Sequence, residues 1–318
     1  MKRRLVETPV LAALVGAFCI AFSGILFRLA HVSPSTGAFF RCLWALPPLW
    51  WLARREDRRY GPRLPRARLL AAVAGAFFAV DLVAWHHAVE EVGAGLATVL
   101  GNLQVVLVGP IAWLLLRERL RGSTLAAIPI SLAGVVLISG AVGSGAYGRN
   151  PGLGVLYGIV TALSYTGFLL TLRRGSADLR RVAGPLADAT AVSAIGAALF
   201  GAAFGELDLT PSLRAQGWLV LLALSSQALG WLVIAVSLPR LPAALTSVLL
   251  TLQPVLSVLF AGAILGEAPS AFQLLGVAGV LAGLLLASSG RRTAAVLLRR
   301  PSRSRWSLRS REDIAEPR

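Results

Sequence analysis

Long apolar stretches, separated by short polar segments, fill most of the chain. Each is close to the roughly 20 residues that an α-helix needs to cross a bilayer. Backbone polar groups in hydrocarbon must bond within their own segment, so stretches of this kind are helices, whereas membrane strands would be shorter and alternate in polarity. The pattern predicts an all-α polytopic membrane protein with ten transmembrane helices, at residues 9–30, 35–53, 69–91, 94–116, 122–141, 152–172, 182–204, 215–237, 242–265 and 270–289.

One part of the chain occurs twice. Residues 94–139 align without gaps to residues 243–288 at a shift of 149, so that Gln104, Glu118 and Gly134 recur as Gln253, Glu267 and Gly283. Matches at a fixed offset are the signature of an internal repeat. Five helices per copy is an odd number, which predicts that the second copy enters the membrane inverted, as in secondary transporters whose site lies near the midplane. We therefore predict two inverted five-helix repeats, at residues 1–146 and 147–290, followed by a basic cytoplasmic tail at 291–318.

Charge adds an orientation to this picture. Only 14% of residues are charged, the net charge is +16, and the arginines gather in alternate connections. Under the positive-inside rule this predicts that both termini are cytoplasmic. A nucleic-acid partner would need the basic residues on one soluble domain, which the sequence lacks, so none is expected. The tail either lies on anionic lipid as an interfacial segment or is a disordered tail that enforces the topology.

Asp81 is the sharpest candidate for chemistry, because ionisable residues deep in the membrane are functional candidates by default. It lies near the middle of the third predicted helix, one turn from Trp85. The functional interpretation is a carboxylate that binds a proton or a cation beside an aromatic platform; the structural one is an ion pair with Arg41. Arg41 itself can extend outward to the surface, pair with Asp81 or bind a substrate carboxylate.

Uncharged polar and aromatic residues near the same depth extend the candidate cavity. Buried amides often join helices to each other, but the set recurs at one depth in both halves, which favours a substrate cavity. Pro254, beside Gln253, is expected to kink the ninth predicted helix. The complete predicted site consists of Arg41, Asp81, Trp85, Asn102, Gln104, Tyr165, Gln227, Trp231 and Gln253.

No metal, cofactor or catalytic site is expected. His86, His87, Glu90 and Glu91 crowd one helix end, but neighbouring histidines diverge by about 100° on a helix and no third strong ligand is nearby, so a solvated rim is the default, with a histidine that assists proton uptake as the alternative. For Glu118 and Glu267, at helix ends, we expect structural roles. The P-loop, HExxH and GxSxG motifs are absent, so transport energy would come from a gradient.

The residues at 94–139 and 243–288, above all TSVLLTLQPVLSVLFAGAILGE, resemble the EamA-type permeases of the drug/metabolite transporter (DMT) superfamily. The segment FSGILFRLAHVSPSTGAFFRCLWAL resembles the first two helices of that family, with Arg28 and Arg41 where basic residues are common. The first repeat departs from the second by having Val105 where the second has Pro254. The resemblance implies a ten-helix permease of the bacterial inner membrane, often an exporter of amino acids or other metabolites.

The function expected from the sequence is secondary active transport of a small-molecule substrate by alternating access. The resemblance implies that the direction of transport is export. Protons are the candidate coupling ion and the lipid bilayer is the other partner. The alternatives are a flippase for a lipid-linked sugar and a non-transporting membrane scaffold or sensor. The protein is expected to be a monomer or a homodimer, because the small residues Gly276, Gly279 and Gly283 can pack within one chain or between two.

Overall fold

The computed structural model describes residues 9–116, 122–175, 180–237 and 243–289, and all regular structure in these ranges is helical. Glu118, the N-terminal basic residues and the tail at 291–318 lie outside the described residues. The helices are α1 Pro9–Ala21, α2 Ser23–Ala30, α3 Pro34–Tyr60, α4 Pro65–Val92, α5 Ala94–Gly101, α6 Gln104–Leu116, α7 Gly122–Ile138, α8 Pro151–Gly175, α9 Ala183–Phe204, α10 Leu213–Leu222, α11 Trp231–Ser237, α12 Ala243–Leu265 and α13 Ala271–Ser289, with a π-helical segment Ala223–Gly230 between α10 and α11.

Among the described residues, seven helical spans are long and apolar enough to cross a membrane, and two shorter apolar helices accompany them. The spans agree with the predicted ranges, with α1 and α2 forming one interrupted span and α5 and α6 another. Helix α3, which contains Arg41 and ends in a run of arginines, is not among the seven. Ten crossings therefore stay a prediction, while an all-helical membrane architecture is shown.

The two ends of the helical bundle differ in charge. One end, which we call the acidic end, contains Glu91, Glu206 and Glu267. It is formed by the α2–α3 and α4–α5 connections and the C-terminal ends of α9 and α12. The α3–α4 connection and the start of α9 meet at the other, with Arg63 and Arg181, which we call the basic end.

Helices that correspond in the sequence repeat pack against each other. Helix α5 contacts α12, α7 contacts α13 and α3 packs on α9, and each of these pairs corresponds at the 149-residue shift. Helix α4 instead packs on α8, which is not its counterpart. At the α7–α13 crossing a Cβ on Gly134 would lie 2.6 Å from the carbonyl oxygen of Gly276 and 2.9 Å from the nitrogen of Val280. Gly279 and Gly283 also face α7. The small-residue face of α13 therefore packs within one chain, where close backbone approach favours helix association.

The interruption between α5 and α6 differs from the kink predicted at Pro254. Helix α12 is continuous from Ala243 to Leu265, through Pro254. A break occurs in the corresponding part of the first half, at Asn102 and Leu103, where no proline is present. Here backbone hydrogen bonds span three residues. The N–H of Leu103 donates to the carbonyl oxygen of Leu100 (3.0 Å), and the N–H of Val105 donates to that of Asn102 (3.0 Å). This is the pattern of a 3₁₀ turn. The kink at Pro254 stays a prediction.

Carboxylates from one half cap helices of the other. At the acidic end, Glu267 accepts the backbone N–H groups of Ala94 (2.7 Å) and Gly95 (3.1 Å) at the start of α5. At the basic end, Glu56 accepts those of Val182, Ala183 and Gly184 at the start of α9. Such caps satisfy orphan N–H groups and complement the helix dipole, so Glu267 has the structural role expected of it.

Candidate functional site

Arg41 is at the centre of a buried polar cluster inside the bundle. Its guanidinium is almost wholly shielded, with the residue 4% exposed, so it does not extend to the surface. Its Nε donates to the Oε1 of Gln227 at 3.1 Å, and its Nη2 lies 3.5 Å from the Oγ of Ser226. The Nε2 of Gln227 in turn donates to the Oγ1 of Thr190 at 3.2 Å. The cluster thus joins α3, α9 and the π-helical segment.

The two adjacent polar residues that reach Arg41 lie in the π-helical segment. Ser226 and Gln227 lie within Ala223–Gly230, and both are fully buried. In a π-helix the extra residue per turn changes the direction of the side chains, and such segments are frequent at functional sites. From this segment both polar groups reach inward to Arg41.

Asp81 and Trp85 flank Arg41 from α4. Both are buried, at 6% and 8% exposure. The guanidinium carbon of Arg41 lies 5.6 Å from the centroid of the Trp85 ring, within the range of a cation–π contact. Asp81 is close enough to interact electrostatically with Arg41, but among the described residues no ion pair within 4.0 Å joins them. A simple structural ion pair therefore does not account for Asp81 in this conformation.

Tyr165 and Trp231 belong to an aromatic cluster beside this charge. The ring of Trp231 meets Phe78, Tyr165 and Phe168 edge-on at centroid distances of 5.8, 5.8 and 5.4 Å. Phe78 and Phe168 are stacked at 4.4 Å. Perpendicular and stacked pairs at these distances are favourable. The cluster forms an apolar wall that joins α4, α8 and α11.

Three predicted site residues stand apart from the cluster. The Nδ2 of Asn102 donates to the Thr98 carbonyl at 2.8 Å, one turn back on its own helix, which stabilises the end of α5 at the break. Gln104 is buried and Gln253 is half-buried. No hydrogen bond, ion pair or ring contact among the described residues joins these three to Arg41. Six of the nine residues are therefore brought together.

Ser226 and Thr190 are members of the cluster that sequence reasoning missed. Ser226 precedes Gln227 in an otherwise apolar helix, and that pair of polar residues was the available signal. Thr190, fully buried on α9, gave none, because single threonines are common in membrane helices, where they bond to their own backbone.

Three cavities lie at the acidic end. The first, of about 660 Å³, is bounded by the α2–α3 and α9–α10 connections and includes Ser33, Glu206 and Arg214. The second, of about 490 Å³, and the third, of about 330 Å³, share Arg28 and Glu90. Together they form a water-accessible region with charged groups of both signs, which we call the vestibule.

Charged contacts surround the vestibule. Arg149 forms a two-point ion pair with Glu91, and this contact raises the pKa of the exposed Arg149. His87 lies 3.4 Å from the carboxylate of Glu206 and stacks on Tyr157. These partners account for His87 and Glu91. The expected solvated rim is wrong for His86 and Glu91, which are buried at 0% and 4% exposure because they face neighbouring helices and Arg149. Among the described residues no group of three or more metal-ligating side chains occurs.

Glu267 closes one side of the vestibule region against the start of α5. Burial raises the pKa of Glu267, and the two backbone N–H bonds act in the opposite direction without offsetting it. Gly93, at φ 92°, precedes the capped helix, and a Cβ there would lie 2.7 Å from the Glu267 carboxylate. Glycine at this position therefore provides both the backbone conformation and the space for the cap.

The basic end is closed by an ionic network. Arg63 contacts both carboxylate oxygens of Asp188 on α9, at 2.7 and 3.1 Å. Arg181 lies 3.5 Å from Asp57 and donates to the carbonyl oxygens of Gly61 (2.6 Å) and Tyr60. The network joins the α3–α4 connection to the start of α9.

Two ranges of the sequence, 8–140 and 152–289, match the model of the EamA-like transporter family. The chain belongs to this family. It is a multi-pass membrane protein of a transporter family of the DMT type, built from two EamA repeats. Together the matches cover most of the chain and include every residue of the predicted site.

Comparison with solved structures supports the same fold. A crystal structure whose title reads only "Crystal structure of protein" superposes with a TM-score of 0.60, at 19% sequence identity, over 88% of this chain and 98% of that one. At this identity the likeness shows the fold alone. No curated protein sequence matches the chain.

Proposed function

We propose that this protein is a secondary active transporter that exports small metabolites such as amino acids by alternating access. The observation that carries the proposal is the buried hydrogen bond between Arg41 and Gln227, which lie in different repeats of the family match. A buried charge in a membrane protein typically marks a substrate or ion pathway. In inverted-repeat transporters the site lies between the halves.

The geometry suggests how binding would be linked to movement. A carboxylate on the substrate is a stronger partner for a guanidinium than a neutral amide. A bound anionic group would therefore compete with Gln227 and Ser226 for Arg41 and loosen the contact between α3 and the π-helical segment. Trp85 and the aromatic wall with Tyr165 and Trp231 would accommodate an apolar part of the substrate. Differential contacts of this kind are what allow a ligand to shift a conformational equilibrium.

Asp81 is proposed as a second charged group of the site. It is buried near Arg41 without a direct ion pair. It can therefore take part in binding a cation or a coupling proton. If it carries the coupling proton, Asp81→Asn should abolish gradient-driven accumulation and spare substrate exchange. Retention of both activities would contradict this role.

We further propose that the basic end faces the cytoplasm of a bacterial cell, in its inner membrane, with both termini on that side. The arginine bias of the connections supports this orientation through the positive-inside rule. The ionic network then closes the cytoplasmic side and the vestibule opens to the outside. In this account Gln104 and Gln253 are cavity residues of other conformations.

The test is transport by purified protein in proteoliposomes. Radiolabelled L-amino acids, nucleosides, sugars and organic cations would be screened for counterflow, with Arg41→Met as the site variant and Arg58→Gln, an exposed basic-end arginine, as the matched control. Counterflow of a panel member that Arg41→Met abolishes and Arg58→Gln retains supports the proposal. Movement of a lipid-linked sugar alone would favour a flippase, and no transport of either class would favour a scaffold or sensor.

A further inference from the structure

His86 is a fully buried histidine whose ring lacks hydrogen bonds. Its exposure is 0%, and neither Nδ1 nor Nε2 has a hydrogen-bond partner among the described residues. The carbonyl of Leu82, one turn earlier on α4, is near the ring but outside hydrogen-bonding geometry. Buried polar groups are nearly always bonded, and an exception needs an explanation. The adjacent His87, by contrast, has Glu206 as its partner.

The neighbours of the imidazole are aromatic. The ring of Phe27 lies 4.2 Å from it, centroid to centroid, and that of Trp85 lies 5.1 Å away. A neutral imidazole has one donor and one acceptor nitrogen, and neither ring can replace a hydrogen-bond partner of full strength. An apolar residue would fill this place without an unpaired polar group. Packing alone therefore does not explain a histidine here.

Phe27 is also the boundary between His86 and the vestibule. It lines the 330 Å³ cavity together with Arg28, His31, Val32 and Glu90. Gly37 leaves room for this ring, because a Cβ there would lie 2.6 Å from Cε2 of Phe27. A displacement of the Phe27 ring would thus bring the imidazole into contact with a cavity that contains charged groups of both signs. The imidazole has a free lone pair directly behind this ring.

We propose that His86 is a proton-binding site that is loaded from the vestibule when Phe27 moves aside. In this step a proton of a hydronium ion in the vestibule adds to the ring lone pair, leaving water, and the neutral imidazole becomes an imidazolium; no other bond changes. The proposal rests on the proposed transport function, in which this proton is the coupling ion.

The charges around His86 link the proton to the candidate site. Arg41 on α3 and His87 on α4 are the groups that act on it electrostatically. Helix α4 also contains Asp81, which acts on Arg41, and Glu90, which lines the cavity beside Phe27 with Arg28 and His31. Helix α5 has no titratable residue, and α8 contributes Tyr157 and Tyr165. Arg41, which also contacts Trp85, repels a second positive charge at His86. An anionic substrate at Arg41 would remove that repulsion, so proton and substrate would favour each other's binding.

The first test measures access to the ring. The chain has three histidines, so diethyl pyrocarbonate modification followed by mass spectrometry resolves each one in the reconstituted protein. We expect His87 to react and His86 to be protected in the unmodified protein. Phe27→Ala should raise the rate at His86 toward that of His87, whereas Phe204→Ala, which removes an exposed ring on α9, should not. Protection of His86 that persists in Phe27→Ala would overturn the proposal.

The second test measures coupling, with stability as a separate readout. His86→Leu removes the unpaired nitrogens, so we expect its thermal unfolding midpoint to equal or exceed that of the unmodified protein. The variant should lose accumulation driven by a proton gradient and keep counterflow; His87→Gln should keep both. Accumulation retained in His86→Leu would refute the role of His86. Absence of counterflow in the unmodified protein would instead refute the proposed function, and the modification result would still decide whether His86 is reached through Phe27.

Discussion

The guanidinium of Arg41 and the side-chain amide of Gln227 meet at 3.1 Å inside the bundle, each from a different EamA repeat. Because this buried charge bonds across the two repeats, the contact between the repeats depends on which group binds the Arg41 guanidinium. This relationship underlies the proposed mechanism, and it can be tested by stability measurements before any substrate is known.

Removing one partner should destabilise the protein more than removing both. Gln227→Leu leaves the Arg41 charge buried with one partner fewer, and we expect a loss of about 1.5–3 kcal/mol in unfolding free energy. Arg41→Met combined with Gln227→Leu should recover most of this loss, because apolar residues often replace a buried polar pair at little cost. Thermal unfolding of the unmodified protein, Gln227→Leu, Arg41→Met and the double variant completes a double-mutant cycle. A double variant that is less stable than Gln227→Leu would contradict the assigned contact.

The cap from Glu267 to the start of α5 should contribute measurably. Glu267→Ala leaves the N–H groups of Ala94 and Gly95 without their acceptor, and the expected loss is about 0.5–2 kcal/mol. Glu267→Gln keeps an acceptor oxygen and should lose less. The unfolding midpoints of the two variants, measured side by side, test the order. Equal midpoints for the unmodified protein and Glu267→Ala would show that the cap contributes nothing.

The crossing of α7 and α13 depends on the absence of a side chain at Gly134. In Gly134→Ala the new Cβ would lie 2.6 Å from a backbone oxygen of α13, so the helices must separate, at an expected cost of about 1–3 kcal/mol. Gly217→Ala is the matched control, since Gly217 lies in α10 with no neighbouring atom within 4 Å of the added Cβ, and alanine favours helix by about 0.5–1 kcal/mol. The two substitutions should therefore shift the unfolding midpoint in opposite directions.

Sequence reasoning recovered the helices and the family because both depend on patterns along the chain. Apolar length predicts a span directly, and the fixed 149-residue offset exposes the repeat. The break at Asn102 and the π-helical segment at Ser226 are different, because they arise from backbone bonding that leaves no proline in the sequence. Pro254, where a kink is predicted, lies inside a helix that is continuous from Ala243 to Leu265.

In the candidate site, too, some residues could be predicted from the sequence and others could not. Arg41 and Asp81 stand out because charge is rare in apolar helices, and the structure places them near each other. The hydrogen bond of Thr190 and the missing hydrogen bonds of the His86 ring result from which helices pack together. A single sequence does not contain this information. The predicted cavity residue Asn102 instead bonds to its own helix, a competition with the backbone that is typical of short amides.

The proposed orientation predicts which connections face outward. In a background with Cys19→Ser and Cys42→Ser, single cysteines replace Ser144 at the acidic end and Arg58 at the basic end, both exposed. A membrane-impermeant maleimide applied to intact cells should label the cysteine at 144 and leave the one at 58 unlabelled until the cells are opened. The reverse pattern would invert the proposed topology and the direction assigned to the vestibule.

The most direct measurement of the central claim is counterflow of radiolabelled L-amino acids in proteoliposomes that contain the unmodified protein, Arg41→Met or Arg58→Gln. We expect counterflow of at least one amino acid in the unmodified protein and in Arg58→Gln, and its loss in Arg41→Met despite normal folding. Counterflow that persists in Arg41→Met would contradict a transport site built around Arg41 and Gln227.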